Sequence, residues 1–85
     1  MATRDRPEYD RLLTAIRDIR HERGLTQREV ANRLGTYQEW INRSETGERR
    51  LDAVELYDIA RALDVDLAEI LRRAGLIGRH RQHPG

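Results

Sequence analysis

LTQREVANRLGTYQEWINRSETGERRLD, running from Leu25 to Asp52, is the stretch on which the fold turns. Thr26 is followed three positions later by Glu29, so hydroxyl and carboxylate can each cap a backbone amide of the other at a helix start. Val30, Ala31 and Leu34 then recur at helical spacing as an inward face. Gly35 ends this helix, and only a few residues separate it from Gln38, where the next helix is predicted to run to about Thr46 with Trp40 and Ile41 on its apolar side. Gly47 breaks that second helix.

The flanks read the same way. Upstream, Leu12, Ile16 and Ile19 recur at spacings of four and three between Tyr9 and Arg23, the pattern of an amphipathic helix. Gly24 stops it, and Leu25 can fold back onto the last turn. Downstream, Asp52 with Glu55 repeats the capping pattern ahead of an apolar face of Leu56, Ile59, Ala60 and Leu63. Asp66 and Glu69 are read as capping a fifth helix, Val65 as stapling onto Ile70, and Gly75 as its end. The sequence thus predicts an all-α, compact five-helix domain over residues 8–77. Residues 1–7 are expected as a mobile N-terminal arm and 78–85 as a mobile basic C-terminal tail.

Composition narrows the function classes. With 85 residues there is room for one domain. No cysteine is present, so neither a disulfide framework nor a thiolate metal site holds the fold. His80 and His83 are too few to argue for a metal, which needs three or four fixed ligands. No apolar run approaches the roughly 20 residues that span a bilayer, and the charged start lacks the apolar stretch of a secretory signal, so no membrane partner and a cytoplasmic location are expected. All 16 basic residues are arginine, yet the net charge is only +1. From Gly35 to Ala60 six acids face three arginines, which leaves the positive surplus towards the two ends. No nucleophile and base, phosphate loop or metal cluster occurs at a recognisable spacing, so an enzyme is not expected and no cofactor is implied.

A helix, a tight break and a second helix with a polar outer face form the geometry in which one helix braces a DNA backbone while the next enters the major groove. In its residues the Leu25–Asp52 run closely resembles the Xre-type helix-turn-helix regulators, which include the phage lambda repressor and Cro proteins, and the likeness extends from about Leu12 to Leu71. Ala31 stands where that family crosses its two helices on a small residue, and Gly35 at its turn glycine. The resemblance implies a lambda-repressor-like domain in which Gln27 binds phosphate and Gln38 reaches a base edge. Residues Tyr37 to Arg43 look especially like the reading helix of Cro, which makes Tyr37, Gln38, Glu39, Asn42 and Arg43 the base-reading set. Helical spacing independently puts positions 38, 39, 42 and 43 on one face. Two departures are Tyr37, where many relatives carry a serine or threonine cap, and Ser44, where most carry a large apolar residue. Thr36 is a second candidate for that cap.

Each assignment has a plainer rival. Gln27 and Gln38 can be solvated glutamines at helix starts, Arg49 and Arg50 members of a solvated loop, and Arg28 a surface charge. All of the last three are nonetheless taken as phosphate contacts, Arg28 because it sits beside an amino end that favours anions. Trp40 reads as core rather than as a stacking platform for bases. The resemblance pairs Glu45 with Arg20 as a structural ion pair, expected as an exposed one contributing about 0 to 1 kcal/mol. The C-terminal tail is open between backbone contact and disorder, whereas Arg4 and Arg6 are read as part of a disordered end rather than as an arm that embraces DNA.

The partner expected from this reading is double-stranded DNA bound by a homodimeric repressor, since one reading helix covers only a few base pairs. Leu67, Ile70, Leu71, Leu76 and Ile77 are the candidate dimer interface, although Leu67 and Ile70 also suit the core. The alternative is an antitoxin or adaptor module whose partner is a protein, a toxin or another regulator.

Overall fold

The computed structural model describes residues 6–78. Five helices follow in order: α1 Pro7–Glu22, α2 Gln27–Leu34, α3 Gln38–Thr46, α4 Ala53–Ala62 and α5 Leu67–Arg73. α1 packs against α3 and α5, α2 against α3 and α4, and α4 against α5, so the apolar stripes converge on one centre. That centre is built from Leu12, Leu13, Ile16 and Ile19 of α1, Val30 and Ala31 of α2, Ile41 of α3, Leu56, Ile59 and Leu63 around α4, and Ile70 and Ala74 around α5. Burying each of the larger aliphatic side chains contributes about 1.5–3 kcal/mol.

Local chemistry sets the boundaries. Thr26 with Glu29 and Asp52 with Glu55 both form complete capping boxes. The box expected at α5 is not made: Asp66 accepts no capping bond, and Glu69 turns instead to Arg72 at 3.3 Å and Arg73 at 2.9 Å. Two arginines in the last turn outbid a single backbone amide for that carboxylate. α1 begins two residues earlier than its apolar pattern, because Pro7 sits at the first helical position, where its fixed φ fits and its missing N–H is not needed. Pro7 is therefore helical rather than part of an arm. Arg4, His80 and His83 lie outside the described residues.

The helix ends are closed by backbone bonds that run from the first or second residue past the cap to the last turn. Leu25 N–H donates to Arg20 O, Thr36 to Ala31 O, Val65 to Ala60 O and Leu76 to Leu71 O, at 2.8–3.0 Å. At the end of α4 the left-handed residue is Asp64, at φ 60°, which is the one non-glycine at positive φ among the described residues. At the end of α3 it is Gly47, φ 88°, whose missing Cβ would come within 3.3 Å of Leu13 Cδ1. That close approach lets the end of α3 settle directly onto α1.

Side chains add longer ties. Arg11 Nε donates to Ala74 O at 2.8 Å, joining α1 to the end of α5, and Arg33 Nη1 donates to Ala62 O at 2.7 Å, joining α2 to the end of α4. Ile70 is fully buried in the core, so it offers no surface to a second subunit. Leu67 and Leu71 are partly buried against the same core, while Leu76 and Ile77 are exposed.

Candidate nucleic-acid interface

α3 lies across α2 with one flank on the core and the other in solvent. Ile41 and Ser44 are buried, whereas Gln38, Glu39, Asn42 and Arg43 are exposed along the opposite flank. Tyr37, the N-cap, is 81% exposed and makes no capping bond with its side chain. The five expected readers therefore form a continuous outer edge, and α2 brings Gln27 alongside it.

This edge is wired to the protein interior. Arg20 of α1 meets Glu45 of α3 in a two-pronged contact, Nε to Oε2 at 2.6 Å and Nη2 to Oε1 at 3.0 Å. Arg20 Nη1 also donates to Leu25 O at 2.9 Å, and Arg17 Nη1 to Glu45 O at 3.4 Å. Both members of the ion pair are buried, with side-chain exposures of 8% and 5%. It was expected as an exposed pair, so its energetic weight is revised: a buried pair is strongly destabilising to break from one side. From Glu45 the chain of bonds continues outward. Gln27 Nε2 donates to Glu45 Oε1 at 3.1 Å and to Asn42 Oδ1 at 3.3 Å, while Gln27 Oε1 accepts from Gln38 Nε2 at 3.5 Å. Gln27 thus ties the side chains of Gln38 and Asn42 to Glu45.

The far end of the edge is electrostatic. Arg43 Nη2 lies 2.8 Å from Glu39 Oε2, and Arg43 Nε lies 3.9 Å from Glu48 Oε1. At the other end, a shallow groove at the start of α2 is bordered by His21, Thr26, Gln27, Arg28 and Gln38. Arg28 is exposed there, beside the amide groups of the first turn.

A family model described as a helix-turn-helix domain matches residues 11–72. The chain belongs to the XRE-type helix-turn-helix family. An uncharacterised HTH-type transcriptional regulator of Sinorhizobium fredii is 40% identical over 53 residues, which cover 62% of this chain and 69% of the relative. Among solved structures, an XRE-family like protein from Pseudomonas syringae superposes with a TM-score of 0.76 at 35% identity, over 80% of this chain and 83% of the other. The clp gene regulator ClgR from C. glutamicum gives 0.73 at 25% identity, over 86% and 94%.

Within this helix-turn-helix chain the two arginines after α3 do different things. Arg49 is clamped by Glu55, Nη2 to Oε2 at 2.6 Å and Nη1 to Oε1 at 3.2 Å, and its guanidinium lies 4.4 Å from the centre of the Trp40 ring. The clamp raises the Arg49 pKa further above its ordinary value and, together with the Asp52 amide, holds the Glu55 carboxyl below its ordinary value. A guanidinium with a carboxylate on its edge and an indole on its face is already satisfied, so Arg49 is a fastening between α3 and α4 rather than a ready phosphate contact. Arg50 is exposed and stacks 4.3 Å over the Tyr9 ring, whose hydroxyl accepts from Leu51 N–H at 3.0 Å. Glu55 was visible in the sequence only as a capping residue, and its second role was missed. Trp40 packs on the core from the side, with Arg49 covering its outer face. Ser44 is buried and donates to Trp40 O at 2.8 Å, beneath a cavity of about 10 Å³ lined by Ile16, Val30, Ile41 and Leu63. The small side chain thus satisfies its own hydroxyl and leaves space for at most one water.

Proposed function

We propose that this chain regulates transcription by binding double-stranded DNA, as a homodimeric repressor on a palindromic operator. The carrying observation is the outer edge of α3, where Gln38, Glu39, Asn42 and Arg43 stand exposed while Glu45 anchors the same helix to the core. An edge of amide, carboxylate and guanidinium groups matches the donors and acceptors that base pairs present in the major groove. The helix-turn-helix match and the regulator named among the relatives support DNA-binding regulation. Arg28 and Arg50 supply the charge for neighbouring phosphates, and Gln27 the hydrogen bond.

The dimer is argued from scale. One helix spans too few base pairs for specificity, and two copies about 34 Å apart read successive turns of one groove face. Leu76 and Ile77, exposed after α5, and the outer parts of Leu67 and Leu71 supply apolar surface for that contact. Exposed Val54 and Tyr57 on α4 favour a second reading, in which that helix docks on another protein.

Selection of duplexes from a random pool, followed by binding at stepped salt, tests the proposal. The expected outcome is an inverted-repeat site whose affinity falls steeply with salt. Recovery of no preferred duplex refutes it.

A further inference from the structure

Two oppositely charged side chains hold the far end of the outer edge of α3, and they touch. Arg43 Nη2 and Glu39 Oε2 are 2.8 Å apart one helical turn from each other, at side-chain exposures of 52% and 70%. A pair this solvated adds little to stability. Its geometry has a different content, because it sets a carboxylate acceptor directly beside a row of guanidinium donors.

A G·C pair presents across the major groove an acceptor at N7, a second acceptor at O6, and then the amino donor of cytosine N4. O6 and N4 are themselves hydrogen-bonded, hence about 3 Å apart. The spacing equals that between the Arg43 donor and the Glu39 acceptor. We propose that Glu39 and Arg43 act as a single reader of one G·C pair. The guanidinium donates to guanine N7 and O6, and the Glu39 carboxylate accepts from cytosine N4 while keeping its contact with Arg43. This rests on α3 being the helix that enters the major groove.

The array also defines what is rejected. An A·T pair places its amino donor between two acceptors, so an Arg43 donor meets a donor and the Glu39 acceptor meets O4. A C·G pair in the reverse orientation presents its donor first, opposite Arg43. Orientation is therefore selected along with composition. Glu48, with Oε1 3.9 Å from Arg43 Nε, adds a second carboxylate around the same guanidinium. Two negative charges against one positive charge make this end of α3 a poor partner for phosphate, which directs Arg43 to a base edge instead.

The test is duplex selection with the full chain, run on wild type, Glu39→Gln, Glu39→Ala and Arg43→Ala. All three variants change exposed side chains, and thermal melts are the check that each one folds. We expect one G·C column in the wild-type site, bound about 5- to 150-fold tighter than the same duplex carrying A·T or reversed C·G there. That same column relaxes in every variant, most in Arg43→Ala, and combining Glu39→Ala with Arg43→Ala loses less than the sum of the two single losses, as a coupled pair must. Two results overturn the inference while leaving DNA reading by α3 intact. In one, the variants relax different columns. In the other, Glu39→Gln tightens binding to all duplexes alike and every column survives, so that Glu39 only repels phosphate. A wild-type chain with no preferred duplex overturns the inference together with the proposed function.

Discussion

Replacing Glu45 with alanine leaves the Arg20 guanidinium buried with one carbonyl, Leu25 O, as its remaining oxygen partner, after the loss of contacts at 2.6 and 3.0 Å. Breaking a buried ion pair from one side costs about 3–5 kcal/mol. A chain of this length is stabilised by about 4–13 kcal/mol in total. The variant therefore loses from about a quarter to all of its stability, and its melting temperature falls by tens of degrees at about 4–8 °C per kcal/mol. Urea unfolding followed by circular dichroism measures this directly. Removing both charges, as Arg20→Met with Glu45→Leu, restores much of the lost stability because no unpaired charge stays behind. The restored protein still binds DNA weakly, since Gln27 has lost the acceptor that orients it. If Glu45→Ala costs less than about 1 kcal/mol, as an exposed pair would, then the contact is solvated and α3 is not locked to α1 through it.

Gly47→Ala forces a side chain into positive φ and against Leu13 Cδ1 at 3.3 Å, so chemical denaturation is expected to show a loss of at least about 1–2 kcal/mol. Asp64→Gly relieves the other left-handed residue and is expected to raise the unfolding free energy measured in urea by up to about 1 kcal/mol. Glu55 has its folded pKa depressed below 4.5 by Arg49, so it contributes stability that is present above pH 4.5 and is lost as pH falls through the folded value. Unfolding curves of wild type and Glu55→Gln should accordingly converge on acidification and stay apart at neutral pH. In salt titrations of DNA binding, Arg28→Ala and Arg50→Ala should each reduce the slope by about 1. Arg49→Ala should leave the slope alone and lower the melting temperature instead.

Much of this was legible in one dimension because helix boundaries are written in local chemistry. Thr26 with Glu29, Asp52 with Glu55, and the glycines at 24, 35 and 47 fix where helices start and stop without reference to anything distant. Periodicity then separates Ile41, which is buried, from Asn42 and Arg43, which are not. What the sequence could not reveal is competition between partners. Glu69 has equal formal reasons to cap α5 and to pair with arginines, and only three-dimensional proximity decides for Arg72 and Arg73. Arg49 and Arg50 are neighbours with the same charge, yet one faces Glu55 and Trp40 and the other Tyr9. The depth of the Arg20–Glu45 pair depends on how far α1 and α3 approach, a quantity that no spacing rule contains.

Gln27 has a consequence for anyone wishing to retarget the domain. Its amide touches Gln38, Asn42 and Glu45 at once, so on the proposed DNA-reading role of α3 the specificity surface is not a cassette confined to that helix. Exchanging the outer residues of that helix for another regulator's set would strand the amide of a neighbouring helix and tilt the transplanted side chains away from their donor's geometry. On that proposal, portable recognition in this scaffold has to be moved as a two-helix unit.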